Sequence, residues 1–353
     1  MDLSTLPTPA LIVDVNALDR NIRRMAEFFA GTPCTLRPHV KAHKTPEIAR
    51  RQLAAGSCAG LTCATVGEAE AVAHLGADLL IANEIVDSAR CDRIAALART
   101  QPVTVAVDSG FGVEVLAAAA RRAGVTVGVL IDLDVGQRRC GVVPGQAALT
   151  LAHLAAEAPG LALRGVMGYE GHVQPIRVRE EREARARESM RLLVATAELL
   201  LRAGLPCDVV SGGGTGTYDI SSQVDGVTEI QAGSYALMDT DYRDTGVPFE
   251  QAFWVLGMVV SRSADRCVVD AGHKSMTKDH GLPSVEGVAG AVVTTLNDEH
   301  AVIALPPDAA VRIGDRLRMI PSHTDPTVNL HDVFYAIDGD RVVGRWPIAR
   351  GYG

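Results

Sequence analysis

The sequence predicts an α/β protein: a (β/α)8 TIM-type barrel followed by a C-terminal all-β domain. Three observations predict it. Short apolar runs alternate eight times with Ala- and Leu-rich stretches of helical period. A glycine-rich loop comes seventh in that series. After about residue 246 the strand-like runs continue without helices between them. Successive β-then-α units imply a parallel sheet closing on itself. An open doubly wound sheet would lead from its first strand into a Gly-rich phosphate loop, whereas the first strand here leads into Lys41-Ala42-His43-Lys44. A chain of 353 residues has room for both domains.

The eight barrel strands are expected at 35–41, 60–65, 78–83, 103–108, 127–134, 163–170, 208–213 and 229–235. Helices are expected between them at 46–55, 66–75, 87–99, 110–122, 144–157 and 180–203, the charged first half of the last being a solvated face. The β domain is expected to hold strands at 255–260, 266–270, 289–295, 301–305, 316–320 and 332–338. These runs place the barrel at 16–246 and the β domain at 247–353, and the strand-like run at 10–15 leaves residues 1–15 open to joining the β domain.

Bulk properties narrow the function. The net charge of −8 repels phosphate backbones, which argues against nucleic acid as a partner. No apolar run is long enough for a bilayer, so no membrane partner is expected. The first nine residues lack the basic and apolar regions of a signal peptide, and seven scattered cysteines without CxxC pairs read as reduced, buried thiols. Both features point to the cytoplasm.

Barrel enzymes carry their chemistry at the carboxyl ends of the strands. In Leu36-Arg37-Pro38-His39-Val40-Lys41 a period-two alternation puts Arg37, His39 and Lys41 on the interior face. A lysine there needs a partner or a lowered pKa, and the latter suits Schiff-base chemistry. From this strand alone, a paired structural lysine remains equally open. Lys44, beyond the strand, reads as a surface charge. Strand five leads to Arg138-Arg139-Cys140-Gly141, strand six to Gly168-Tyr169-Glu170-Gly171-His172, and strand seven to Ser211-Gly212-Gly213-Gly214-Thr215. Strand eight ends in Gly233-Ser234-Tyr235. Glycine lets backbone N–H groups approach an anion, and two neighbouring cradles on strands seven and eight say more than either alone.

These motifs together resemble the alanine-racemase-like, fold-type III pyridoxal-phosphate enzymes. The narrower resemblance is to the D-threonine aldolase and D-serine dehydratase family. It is carried by Arg37-Pro38-His39-Val40-Lys41-Ala42-His43-Lys44, by Gly171-His172, by Ser211-Gly212-Gly213-Gly214-Thr215, and by Pro321-Ser322-His323-Thr324-Asp325-Pro326-Thr327-Val328-Asn329-Leu330. The resemblance covers nearly the whole chain. It implies that Lys41 is the Schiff-base lysine, that Arg139 bonds the cofactor's phenolic oxygen and that Tyr169 approaches its pyridine nitrogen. Gly213, Gly214, Thr215, Gly233 and Ser234 would surround the phosphate with Tyr235 close by. It also implies a divalent metal on His323 and Asp325, whose i, i+2 spacing on an extended segment would let both point one way.

Dehydratases of the family resemble His-x-Cys, a soft site suited to zinc. The hard oxygen of Asp325 favours manganese or magnesium and the aldolase branch, with zinc still open. The expected activity is cleavage of a D-β-hydroxy-α-amino acid, such as D-threonine or 3-hydroxy-D-aspartate, to glycine and an aldehyde. His172 is the candidate base; the alternative is a histidine that only hydrogen-bonds a neighbouring group. Dehydration to a 2-oxo acid and ammonia is the alternative on the same scaffold, and a non-catalytic pyridoxal-phosphate carrier the alternative of another class. The resemblance further implies a homodimer.

Overall fold

The computed structural model describes residues 2–352. The chain divides into two compact units, each drawn from separate stretches of sequence. One comprises Met25–Lys41 and Ala49–Gly233, with the last residues of the chain. The other takes the chain up to Arg24, Ala42–Ile48 and Ser234–Arg350. The units are therefore discontinuous, unlike the contiguous spans 16–246 and 247–353.

A strand from the amino end, β1 (Ala10–Asp14), belongs to the second unit. The first unit is the barrel. Its strands are β2 (Thr35–Leu36), β3 (Leu61–Cys63), β4 (Leu79–Glu84), β5 (Val103–Val107), β6 (Val127–Asp132), β7 (Leu161–Gly168), β8 (Val209–Gly212) and β9 (Glu229–Ile230). They lie side by side in the order β2-β9-β8-β7-β6-β5-β4-β3, and every neighbouring pair is parallel. The Ala59 and Thr62 N–H groups donate to the Leu36 and Pro38 carbonyls at 2.7 and 2.9 Å, which joins the two ends of that order and closes the barrel. β5 and β6 are buried along their whole length and read as near-continuous apolar runs, as parallel strands covered on both faces should.

Helices start where the sequence offers an oxygen to the first free N–H groups. Thr65, Asp87 and Ser109 cap the helices Val66–Val72, Ser88–Leu97 and Gly110–Ala123. The helix Arg179–Arg202 carries its charges as ion pairs four residues apart, Glu181 with Arg185 and Glu183 with Arg187.

The second unit is a nine-stranded, mostly antiparallel sheet. Its strands are β1, β10 (Phe253–Arg262), β11 (Arg266–Val269), β12 (Ser284–Glu286), β13 (Val292–Leu296), β14 (Ala301–Ala304), β15 (Arg316–Ile320), β16 (Val333–Asp338) and β17 (Arg341–Pro347). β1 lies between β10, antiparallel, and β16, parallel. Leu6, Ile12, Trp254, Leu256, Ile320 and Ile337 form a core on this sheet.

Three local expectations need correction. The first barrel strand does not reach Lys41; it stops at Leu36, and Val40–Ala42 forms a 3₁₀ turn. The β unit is not free of helix, since Thr324–Asn329 forms a short one. The cysteines are not uniformly buried: Cys140 is exposed and Cys58 half-buried, while the other five are buried.

Candidate functional site

The barrel mouth is built on a buried ion cluster. Past β2 the backbone stays tied to β9, with the Arg37 and His39 N–H groups donating to the Ile230 and Ala232 carbonyls at 2.8 and 3.1 Å. This points the Arg37 side chain at two carboxylates, Glu229 (Nε to Oε2, 2.9 Å) and Asp78 (Nη1 to Oδ1, 2.9 Å). Burial opposes the guanidinium charge, but the two carboxylates outweigh it and hold its pKa up. Gly60 (φ +148°) makes room, since a Cβ there would fall on the guanidinium and on the Asp78 carbonyl. Arg37 is thus a structural member of the interior. Lys41 sits above it, half-buried, in a 3₁₀ turn at Val40–Ala42, and its N–H faces His39 Nδ1 at 3.4 Å. Lys44 corrects its reading as a surface charge. It is 5% exposed, and its Nζ donates to the Arg350 carbonyl at 2.9 Å.

The loops after β6 and β7 meet at the mouth. Arg139 lies over the Tyr169 ring, 5.8 Å from its centroid. Asp132, Gln137, Arg139, Cys140 and Tyr169 line a cavity of about 10 Å³ there. The imidazole of His172, itself exposed, rests against Gly136, where a Cβ would come within 2.9 Å of the ring. Behind Arg139, Glu84, Asp108 and Cys140 bring their ligand atoms within 4.8 Å of one another. Burial, then a hydrogen bond to Glu84, pushes the Asp132 carboxyl up to about 8, against the pull of Arg139.

The loop after β8 rests on two side chains from the sixth loop. Glu170, with no exposed surface, accepts the Gly213 N–H at 3.1 Å and the Thr217 and Ser221 hydroxyls at 2.6 and 2.8 Å. Gln174 accepts the Gly216 N–H at 2.8 Å and donates to Thr217 Oγ1 at 2.9 Å, and the Gly214 N–H donates to the same hydroxyl at 3.2 Å. Gly213 and Gly214 therefore turn their N–H groups inward. Their missing side chains keep the loop tight: a Cβ would come 2.7 Å from Ile230 at Gly213 (φ +72°) and 2.8 Å from Gln174 at Gly214. Thr215 and Gly233 are buried in the same unit.

The remaining predicted residues lie in the β unit. Ser234 and Tyr235 form a 3₁₀ turn, and the fully buried Tyr235 ring packs 5.5 Å from that of Phe249. His323 precedes the helix Thr324–Asn329, and Asp325 stands in its first turn. The pair is thus not on one extended segment, and the i, i+2 argument fails because the chain starts a helix after His323. The Asp239 carboxylate fixes that start, accepting the Thr324 N–H and hydroxyl, both at 2.8 Å.

His323 is brought together with residues the sequence reading overlooked. Its Nδ1 lies 2.7 Å from Asp279 Oδ2, and its ring stacks on His280 with centroids 4.1 Å apart and planes 11° from parallel. Asp279, His280 and His323 form a trio whose donor atoms could hold a metal ion, a trio that does not include Asp325. Burial works to raise the Asp279 carboxyl, but hydrogen bonds from Thr277 and His323 hold it below the usual carboxylate range. The Thr277-Lys278-Asp279-His280 run carried a signal, a histidine beside a carboxylate, but nothing in sequence spacing ties it to His323. Glu170 offered a clearer one: a charge closing an apolar strand beside Tyr169.

Residues 13–241 match the family described as "Alanine racemase, N-terminal domain", and residues 252–337 match "Putative serine dehydratase domain". A D-threonine aldolase from Arthrobacter sp. is 40% identical over 99% of this chain and 94% of its own. A 3-hydroxy-D-aspartate aldolase from Paracoccus denitrificans (strain Pd 1222) is 37% identical over 100% of this chain and 94% of its own. The crystal structure of D-threonine aldolase from Filomicrobium marinum superposes with a TM-score of 0.96 at 38% identity, covering 99% of this chain and 98% of that one. The likeness runs through both units, and family membership implies pyridoxal phosphate together with a metal ion. The chain belongs to the alanine-racemase-like D-threonine aldolase and D-serine dehydratase family, and is an enzyme of its carbon–carbon lyase branch.

Proposed function

We propose that the chain cleaves D-configured β-hydroxy-α-amino acids between Cα and Cβ, giving glycine and an aldehyde, with D-threonine or 3-hydroxy-D-aspartate as substrate type. The observation that carries this is the near-complete coverage, at 37–40% identity, of relatives named as aldolases of these two compounds. When bound, pyridoxal phosphate supplies an electron sink and the metal a Lewis acid for the β-hydroxyl.

The donor chemistry fits both groups. Lys41, in the Val40–Ala42 turn, is the amine that would hold the cofactor's aldehyde carbon. Arg139 bonds the phenolic oxygen, and its place over the Tyr169 ring suits Tyr169 as neighbour of the pyridine nitrogen. Gly213 and Gly214 contribute close approach rather than N–H donation to the phosphate site, which Thr215, Gly233 and Ser234 complete, with Tyr235 behind it. His323, with Asp325 in the first turn of the helix that follows it, would hold the metal, and an imidazole-plus-carboxylate pair suits manganese or magnesium over a site made for zinc. His172, exposed at the rim on Gly136, accepts the proton of the β-hydroxyl at a ring nitrogen. The enzyme acts as a homodimer, and in the cytoplasm, in keeping with seven cysteines that form no disulfide.

The test is product identity. Purified protein given pyridoxal phosphate, manganese and D-threonine is expected to release acetaldehyde and glycine. Accumulation of 2-oxobutanoate instead would overturn aldol cleavage in favour of dehydration, and cofactor binding without turnover would leave a carrier. Lys41→Ala is expected to remove the visible absorption of the bound cofactor, and a chelator to abolish activity until manganese is restored.

A further inference from the structure

We propose that Asp279 is a positioning residue for the metal site: it fixes the His323 ring in the tautomer that presents Nε2 to the cation. This rests on the reading of His323 as a metal ligand. A carboxylate only accepts, so the 2.7 Å contact between Asp279 Oδ2 and His323 Nδ1 assigns the proton to Nδ1 and the lone pair to Nε2. A histidine without such a partner favours the Nε2–H form in water, which turns the wrong nitrogen to a metal.

The carboxylate is itself held at both oxygens. Thr277 donates its hydroxyl to Asp279 Oδ1 at 2.6 Å and accepts the Asp279 N–H at 3.2 Å. The Thr277 N–H in turn donates to Thr327 Oγ1 at 3.2 Å, which ties this segment to the helix that begins after His323. The ring has little freedom to escape. One face is stacked on His280, whose own Nδ1 is anchored 2.9 Å from Asp241 Oδ2, and the adjoining backbone is clamped through Thr324 on Asp239. Metal-bound histidines owe tautomer and orientation to such partners, whose loss typically costs 10–100-fold in metal affinity.

The experiment uses the full-length, cofactor-loaded protein stripped of metal. Manganese is titrated calorimetrically into the wild type and into the Asp279→Ala, Asp279→Asn and His323→Ala variants. Nitrogen-15 imidazole spectra of the metal-free proteins report the His323 tautomer, the signal being assigned by its absence in His323→Ala. Asp279→Ala is expected to weaken manganese binding roughly 10–100-fold and to shift His323 toward Nε2–H. Asp279→Asn is expected to fall between that variant and the wild type, since its amide oxygen can accept the same proton. Unchanged cofactor absorbance and unfolding temperature show that the variants are folded.

Manganese affinity in Asp279→Ala within twofold of the wild type, or an unmoved tautomer, overturns the proposal. Loss of binding in Asp279→Ala as complete as in His323→Ala, with the tautomer unmoved, makes Asp279 a direct ligand and overturns it too. Wild-type affinity in His323→Ala would instead overturn the metal reading itself.

Discussion

Buried carboxylates do much of the polar construction in the barrel unit, each by a different route. Glu229 is neutralised by Arg37, and Glu170 is solvated by an N–H and two hydroxyls. Asp132, with its carboxyl near 8, is instead held partly protonated at neutral pH. An acid whose pKa is raised by folding binds its proton more tightly folded than unfolded. Ionising Asp132 therefore costs the folded state nothing below its ordinary value of 3.8, progressively more as pH rises, and the full amount above about 8. Asp132→Asn keeps a donor for Glu84 without that penalty. Its melting temperature is expected to exceed the wild type's at pH 9, by a margin that narrows steadily as the pH falls toward 5. Parallel melting curves across that range would remove the argument.

At the scale of elements, the glycine-rich loop is a rigid part because Glu170 and Gln174 bond it from below. Glu170→Ala leaves the Gly213 N–H and two hydroxyls without their acceptor, at roughly 1–3 kcal/mol for each buried group left unpaired. Pyridoxal-phosphate affinity, measured by fluorescence quenching, is expected to fall at least about tenfold, equivalent to 1.4 kcal/mol. An unchanged affinity would mean that the loop holds its shape without this support.

The order of strands and helices was legible because hydrophobic period and caps are local properties. The setting of His323 was not: its partner Asp279 lies 44 residues away, and only the fold brings the two together. Likewise the i, i+2 reading of His323 and Asp325 assumed extended backbone, and the Asp239 clamp that starts a helix there is itself distant in sequence.

At the scale of the whole molecule, the thiols report how tightly the fold is closed. None of the seven cysteines forms a disulfide, and five are buried. Burial pushes the Cys34 and Cys58 thiols up to about 12, and those of Cys91 and Cys207 to about 11. Cys140 is exposed, yet burial of its sulfur and the nearby Glu84 raise it to about 11 as well. A thiol reagent at neutral pH is expected to modify Cys140 first and slowly, with the rest reacting only on denaturation. Fast modification of several cysteines in the folded protein would contradict this closure.

The position of β1 also sets an order of events at the ribosome. Its Leu11, Ile12 and Val13 have no exposed surface in the finished sheet, and they are made before every strand of the barrel. Their antiparallel neighbours, Phe253–Val255, and the parallel ones, Tyr335 and Ala336, are synthesised only after the whole barrel. Until those partners are made β1 cannot take its place in the sheet, so the second unit can be completed only after the barrel has been synthesised.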